Sequence, residues 1–317
     1  MRILGVFLNP RPTTGGHRRY LELMRGLAAR GHEVTLVVRA GAEAVLELPQ
    51  AVRVEPVEIP ARGALLSASR QWARAVGRPG AGIVSRGRAE VVVVFGETTF
   101  GAARALAEAA GAPLVVALRS NMPRELAVLG AHRGAGVLSP MVGLLERAVV
   151  RRREAAIARA AARIVFQTEF DRQDFEQRNP GARGRTAVVA NSMVVSWLDE
   201  SLRDAGGVPH EPPRLLFVGT LNRRKGVLDF LAALSRLREA GLRLEATVLG
   251  DGPLRRAVER RITEAGPGAQ VTVAGHSAGA LEAIAASDLL VLPALFDSFP
   301  NVLLEAMHVG TPAVATR

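Results

Sequence analysis

The chain contains no cysteine. That excludes a disulfide framework and any thiolate metal site, and it fits a reducing compartment. Aromatic residues make up only 4% of the sequence and do not alternate with the basic ones. A base-stacking surface for nucleic acid is therefore not expected. No uninterrupted apolar run approaches the ~20 residues that span a bilayer. The opening run Met1-Arg2-Ile3-Leu4-Gly5-Val6-Phe7-Leu8 is too short for a secretory apolar core with a cleavage site. A soluble, cytoplasmic protein follows as the expectation. Lysine is almost absent: Lys225 stands alone in a chain that otherwise uses arginine. There is also no Asp-x-Asp, so no obvious metal site or metal cofactor is expected.

What is present is length, charge and periodicity. A chain of 317 residues suggests about two domains, each large enough to bury its own core. The net charge of +11 favours anionic partners, such as nucleotide diphosphates or an anionic lipid surface. From the amino end the pattern is strand (Ile3 to Leu8), loop (Asn9 to Gly16), helix and strand (Glu33 to Val38). Leu21, Met24, Leu27 and Ala28 recur at helical spacing in that helix. Such a β-α-β unit implies a parallel sheet. Further buried strands are expected at Val91 to Phe95, Leu114 to Leu118, Ile164 to Gln167 and Thr186 to Ala190. Helices are expected at Phe100 to Ala110 and Gly143 to Ala162. The segment from Asn191 to Pro213, with Gly206-Gly207, Pro209 and Pro212-Pro213, has the punctuation of an interdomain connection. A second α/β unit then begins at Arg214 to Val218. Its later strands are expected at Leu244 to Leu249, Val271 to Ala274 and Leu289 to Leu292, with helices at Val227 to Ala240, Pro253 to Ala265 and Ala278 to Ala286. The domain reading is 1–192, a connection over 193–213, and 214–317.

Two segments carry chemistry. In the first, Asp297-Ser298-Phe299-Pro300-Asn301-Val302-Leu303-Leu304-Glu305-Ala306-Met307 is followed by Gly310-Thr311-Pro312. It places two carboxylates eight positions apart, across a loop and into a helix. In open α/β sheets ligands bind at the carboxyl ends of the strands. A helix amino end points free N–H groups into the same crevice. This arrangement suits a nucleotide sugar, with one carboxylate for the hexose, one for the ribose and the helix end for the phosphates. In the second, Val218-Gly219-Thr220-Leu221-Asn222-Arg223-Arg224-Lys225-Gly226, a strand runs into a basic loop that opens a helix. Cations at a helix amino end oppose its dipole and need an anion, which a diphosphate supplies.

The first segment resembles the signature of retaining glycosyltransferases of family 4, in which a Glu, seven residues, a second Glu, Ala-Met and Gly-x-Pro follow one another. Asp297 stands where that pattern has its first Glu. The resemblance implies an α/β protein of the GT-B fold, with two Rossmann-like domains whose parallel sheets face a cleft. It implies transfer of a sugar from a nucleotide diphosphate sugar to the hydroxyl of a glycan or lipid-linked acceptor. Lys225, Arg224 and Asp297 are the expected catalytic residues. Glu305, Gly15, Gly16, Ser298, Phe299, Asn301, Val302, Thr220, Arg119 and His276 are expected to contact substrate. Thr220 occupies a position where the family has Arg, and Arg119 lies near the place of a family His, so Arg119 is a candidate for an anionic acceptor or a phosphate. Glu97, after Val91 to Phe95, is similarly placed. Gly250-Asp251-Gly252-Pro253 resembles a family turn, with Asp251 expected as a helix cap, and Asn191 is read as structural. Proteins of that family continue beyond the point reached at Arg317, so the second domain is expected to be incomplete and the chain poorly stable. Arginines at 62, 70, 74 and 78, and again at 147, 151, 152, 153, 159 and 163, suggest peripheral contact with the inner face of an anionic membrane. The rival readings are a nucleotide sugar epimerase of the same fold and a non-catalytic nucleotide-sugar-binding module.

Overall fold

The computed structural model describes residues 1–9, 15–43, 46, 48–58, 73, 89–131, 139–193, 199–206, 209–266, 270–275 and 279–316. It divides into two compact units, Met1–Pro123 with Pro140–Ala190, and Arg124–Ser139 with Asn191–Arg317. The described elements up to Ala190 are β1 (Arg2–Phe7), α1 (Gly15–Ala29), β2 (Glu33–Arg39), β3 (Val52–Val57), β4 (Val91–Phe95), α2 (Phe100–Ala110), β5 (Leu114–Ala117), α3 (Met122–Ala131), α4 (Ser139–Ala160), β6 (Arg163–Phe166), α5 (Glu169–Arg178) and β7 (Thr186–Val188). The strands form one parallel sheet in the order β3-β2-β1-β4-β5-β6-β7. The order reverses between β1 and β4. Ligands of open α/β sheets bind at such a point.

Alternation along β1 builds a core on each face of this sheet. Leu4, Val6 and Leu8 join the cluster that contains Phe100, Leu106, Ile157 and Ile164. Ile3 and Phe7 join the other, with Tyr20, Leu21, Met24 and Leu36. Gly5 lies on the α1 side, where a Cβ would fall 2.8 Å from Tyr20, Met24 and Leu36. The missing side chain lets α1 sit close to the strand. The buried Tyr20 hydroxyl accepts from the backbone N–H of Val6 (2.7 Å) and donates to the carbonyl of Val93 (2.8 Å). One side chain therefore ties α1 to both strands of the switch point. Burial pushes its phenol pKa up, so it remains a donor.

The remaining elements are β8 (Arg214–Val218), α6 (Val227–Glu239), β9 (Glu245–Leu249), α7 (Arg255–Ala265), β10 (Val271–Gly275), α8 (Ala280–Ala285), β11 (Leu289–Leu292), α9 (Asn301–Val309) and β12 (Ala313–Ala315). They give a second parallel sheet, ordered β10-β9-β8-β11-β12, with its reversal between β8 and β11. Its two faces carry separate cores. One holds Leu216, Leu290, Leu292, Val302 and Ala306, the other Phe217, Phe230, Val248 and Val258.

Several elements depart from the sequence reading. Strand β3 was not expected. It contains Pro56 and two charged residues, Arg53 and Glu55, and such a segment is tolerated at a sheet edge, where β3 lies. Helices α3 and α5 were not expected either, because polar residues dominate α5 and mask its period. Gly15 and Gly16 form the first turn of α1 rather than the preceding loop. Arg163 begins β6 and does not continue the helical run. Asp251 is not the cap of α7. Leu254 holds that position, while the Asp251 carboxylate accepts from the N–H of Gly252 at 2.7 Å. Between Asn191 and Pro213 the described residues are tied to the second unit by hydrogen bonds. The Asp288 carboxylate accepts from the N–H groups of His210 (3.0 Å) and Arg214 (2.6 Å), and the N–H of Gly206 donates to the carbonyl of Val309 (2.6 Å). The arginines at 62, 70, 74 and 78 lie outside the described residues.

In the first unit, α4 and α5 are joined by a buried charge network. Arg178 donates to both oxygens of Glu154 (3.0 and 2.9 Å) and pairs with Asp174. Glu154 is only 4% exposed. Arg178→Met would leave that carboxylate buried without its bidentate partner, at a cost of roughly 3–5 kcal/mol. Urea unfolding should show this loss, and Arg178→Met with Glu154→Gln should recover a large part of it. A single variant as stable as the wild type would show that the pair contributes nothing.

Candidate functional site

The loops that leave β8 and β11, the two strands flanking the reversal, are pressed together. The β8 loop is held from below by Leu221, which is fully buried. Its N–H donates to the carbonyl of Asp251 (3.0 Å), and its own carbonyl accepts from the N–H of Leu254 (2.9 Å). Asn222 then accepts from the N–H of Lys225 (3.0 Å) and caps a single 3₁₀ turn over Arg223–Lys225. Lys225 therefore does not open an α-helix directly. Gly226 ends the turn at φ 71° and α6 starts at Val227. A Cβ on Gly226 would lie 1.8 Å from the carbonyl oxygen of Pro293, in the loop after β11. Only glycine supplies both the left-handed backbone and that approach. The carbonyl of Arg224 accepts from the N–H of Leu295 (2.8 Å), closing the junction.

This junction aligns three of the expected residues. The Lys225 ammonium donates to Asp297, in the loop after β11. Arg224 lies 3.7 Å from the same carboxylate oxygen, donates to the carbonyl of Phe296 (3.3 Å), and approaches Glu125 of α3 at 3.5 Å. Lys225 and Asp297 are 15% and 17% exposed. Two cations and two carboxylates thus form one partly buried chain. Arg223 points into solvent, so of the two arginines considered for this place the structure favours Arg224. Thr220 is exposed and contributes its carbonyl to the N–H of Asn222 (2.8 Å).

Beyond Asp297, Ser298 has a buried hydroxyl that makes no hydrogen bond among the described residues. The carbonyl of Phe299 and the side chain of Asn301 accept from Asn191, at 3.1 and 3.3 Å. Asn191 therefore fixes the start of α9. Pro300 is the cap residue, no side chain caps the helix, and its first turn has no acidic residue. Helix amino ends of this kind favour negative charge nearby. Val302 packs into the core, and Glu305, three residues on, is half-buried on the adjoining side of the helix.

Of the other expected residues, Gly15, Gly16 and Arg119 belong to the first unit. His276 lies outside the described residues. Sequence reasoning did not single out Glu125, because α3 itself was not recognised. It also took Lys225 and Asp297 as separate contacts to ligand, whereas the fold pairs them. Glu97 is 9% exposed at the end of β4.

Two units, each a doubly wound parallel sheet, define the GT-B class of glycosyltransferase fold. Known proteins place the chain more narrowly. Residues 14–192 match the family described as glycosyl transferase 4-like domain, and residues 212–317 match glycosyl transferases group 1. The chain belongs to this glycosyltransferase family. It is 27% identical over 344 residues to glycogen synthase of Mycobacterium tuberculosis, covering 100% of this chain and 78% of that protein. It is 28% identical over 214 residues to alpha-D-kanosaminyltransferase of Streptomyces kanamyceticus, covering 65% of this chain and 53% of that protein, so about half of the latter's length is matched. Among solved structures, sucrose-phosphate synthase from Thermosynechococcus elongatus superposes with a TM-score of 0.76 at 18% identity, over 99% of this chain and 81% of that one. Anabaena HepE, solved in complex with UDP and glucose, gives 0.66 at 18% identity, over 99% and 80%. At these identities the likeness is one of fold.

Gly226→Ala should separate the two loops and cost on the order of 2 kcal/mol or more. Gly241→Ala is the control: it has a similar φ of 84° but open space around it. Thermal unfolding of both variants compares the close approach with backbone strain alone. Equal losses would show that the contact with Pro293 does not matter.

Proposed function

We propose that the protein transfers a sugar from a nucleotide diphosphate sugar to an acceptor hydroxyl, with retention of the anomeric configuration. The observation that carries this reading is the junction of Arg224, Lys225 and Asp297 beside the uncapped amino end of α9. In the reaction the bond from the anomeric carbon to the diphosphate oxygen breaks. The diphosphate leaves with the electron pair, and the acceptor oxygen bonds to the anomeric carbon from the same face. The acceptor's proton passes to the departing phosphate oxygen. Negative charge thus builds on the diphosphate, and fixed positive groups in a partly dry site stabilise it. Lys225, Arg224 and the α9 N–H groups serve that role in place of a metal ion or other cofactor. Asp297 holds the two cations in place and faces the transferred sugar. Glu305 takes the ribose hydroxyls, and the buried Ser298 hydroxyl finds its partner in the donor.

The acceptor belongs to a glycan or to a lipid-linked sugar. Peripheral contact with an anionic membrane is part of the reading. On α4, Leu144 and Leu145 are exposed at 71% and 67%, and Arg147, Arg151 and Arg152 are exposed on the same helix. Co-sedimentation with vesicles of anionic phospholipid should exceed that with zwitterionic vesicles and fall for Leu144→Ser with Leu145→Ser. Equal recovery from both vesicle types would remove the membrane from the account.

Incubation with UDP-, GDP- and ADP-glucose in turn, followed by detection of free nucleotide and by NMR of the product's anomeric centre, tests the transfer. Lys225→Ala should cost roughly 3 kcal/mol of transition-state stabilisation, about 100-fold in turnover. Unchanged turnover would take Lys225 out of the mechanism. Binding of a donor with no release of nucleotide would make the protein a binding module, and an epimerised sugar nucleotide would make it an epimerase.

A further inference from the structure

A cavity of about 370 Å³ opens in the second unit, at the end of the sheet opposite the candidate site. The candidate site stands at the carboxyl ends of β8 and β11. The cavity lies where α6 and α7 finish and where β9 and β10 begin, with Arg238 and Ala265 on the helices and Leu244 and Val271 at the strands. Its volume is in the range of small-molecule sites. Leu231, Leu234, Leu244, Ile262 and Val271 form an aliphatic floor that continues the core beneath it. Leu242 also lines it and is 53% exposed. Among the described residues no aromatic ring lines the cavity.

Its charged lining has one sign. Arg238, Arg243 and Arg261 line the cavity, and among the described residues no carboxylate does. Cations are favoured where helices end, and this accounts for one of the three. Arg238 lies in the last turn of α6 and donates to the carbonyl of Ala265 at the end of α7 (3.2 Å). The side chains of Arg243 and Arg261 make no hydrogen bond or ion pair among the described residues. Carboxylates close to them in the chain are engaged elsewhere: Glu245 with Arg214 (3.4 Å), Glu259 with Arg255 (2.8 Å) and Glu264 with Arg260 (3.9 Å). A guanidinium takes phosphate or carboxylate oxygens in pairs. An aliphatic floor takes an alkyl chain by removing both from water.

We propose that this cavity is a second ligand site and binds an amphipathic anion, with an alkyl chain on the aliphatic floor and a phosphate or carboxylate head held by Arg243 and Arg261. The site is separate from the transfer chemistry and does not rest on the transferase reading.

Calorimetric titration of the full chain with octyl phosphate, octanoate, octanol and inorganic phosphate, each below its aggregation concentration, tests it. Octyl phosphate or octanoate should bind saturably. Octanol lacks the charge and inorganic phosphate lacks the chain, so each should bind at least about tenfold more weakly. Arg243→Gln with Arg261→Gln should weaken the bound anion by about tenfold or more, and Leu242→Ser by less. Arg236→Gln with Arg256→Gln is the control: it makes the same change in net charge on α6 and α7, at residues that do not line the cavity, and should bind as the wild type does. All five positions are exposed, so the fold should survive, and circular dichroism checks each variant. Saturating UDP should leave the affinity unchanged. No saturable binding of either octyl anion, octanol binding as tightly as the anions, an equal loss in the control variant, or displacement by UDP would each overturn the assignment. Stronger displacement by phosphatidylglycerol vesicles than by phosphatidylcholine vesicles would name a bilayer lipid as the source of the anion, and equal displacement a free alkyl anion.

Discussion

The approach of two backbones, Gly226 to Pro293, governs the second unit. At that point the loops from β8 and β11 come closer than any side chain allows. The polar contacts between the two loops lie around it. Arg224 bonds the facing loop through its own carbonyl, Lys225 reaches Asp297, and the chain then turns through Pro300 into α9. The parallel sheet supplies the reason the loops are neighbours at all, since its order reverses between the two strands they leave. Geometry and electrostatics reinforce each other here. Two cations at short range would repel, but Asp297 and Glu125 sit within 3.7 Å of Arg224 and balance them.

The two units share one architecture, a parallel sheet whose order reverses once, and differ in the side chains placed at the reversal. At the reversal of the second sheet, positive charge is balanced by carboxylates and lies beside an uncapped helix. At the reversal of the first, Arg119 lies over the ring of Phe95, His17 is edge-on to Phe7, and Glu97 is buried at the end of β4. A balanced cluster can exchange its internal partner for a ligand's phosphate with little change in net charge.

The strands were the most legible part of the fold. Buried parallel strands read as unbroken apolar runs, and Val91–Phe95 and Leu289–Leu292 could hardly be anything else. Strand β3 escaped because an edge strand needs only one neighbour and tolerates Pro56 and alternating charge. Helix α5 escaped because its stability comes from the Thr168 cap, from Arg172 with Glu169 and Glu176, and from Arg178 with Glu154, rather than from an apolar stripe. Spacing and resemblance singled out Asp297, Glu305 and Lys225 as candidates, but they could not show that Lys225 and Asp297 touch. They stand far apart in the chain and meet only through the sheet.

The sequence alone determined the class of fold and the chemical character of the candidate site. Apolar period, glycine placement and the spacing of the two carboxylates are local properties that one stretch of chain carries by itself. The tertiary structure decided which charges share a place. It set Arg224 rather than Arg223 against Asp297, brought in Glu125 from a helix the sequence did not announce, and laid Arg119 over Phe95. The physical reason is that electrostatic energy depends on separation in space and on burial. Both are fixed by strand order and by the loops that strand order makes neighbours.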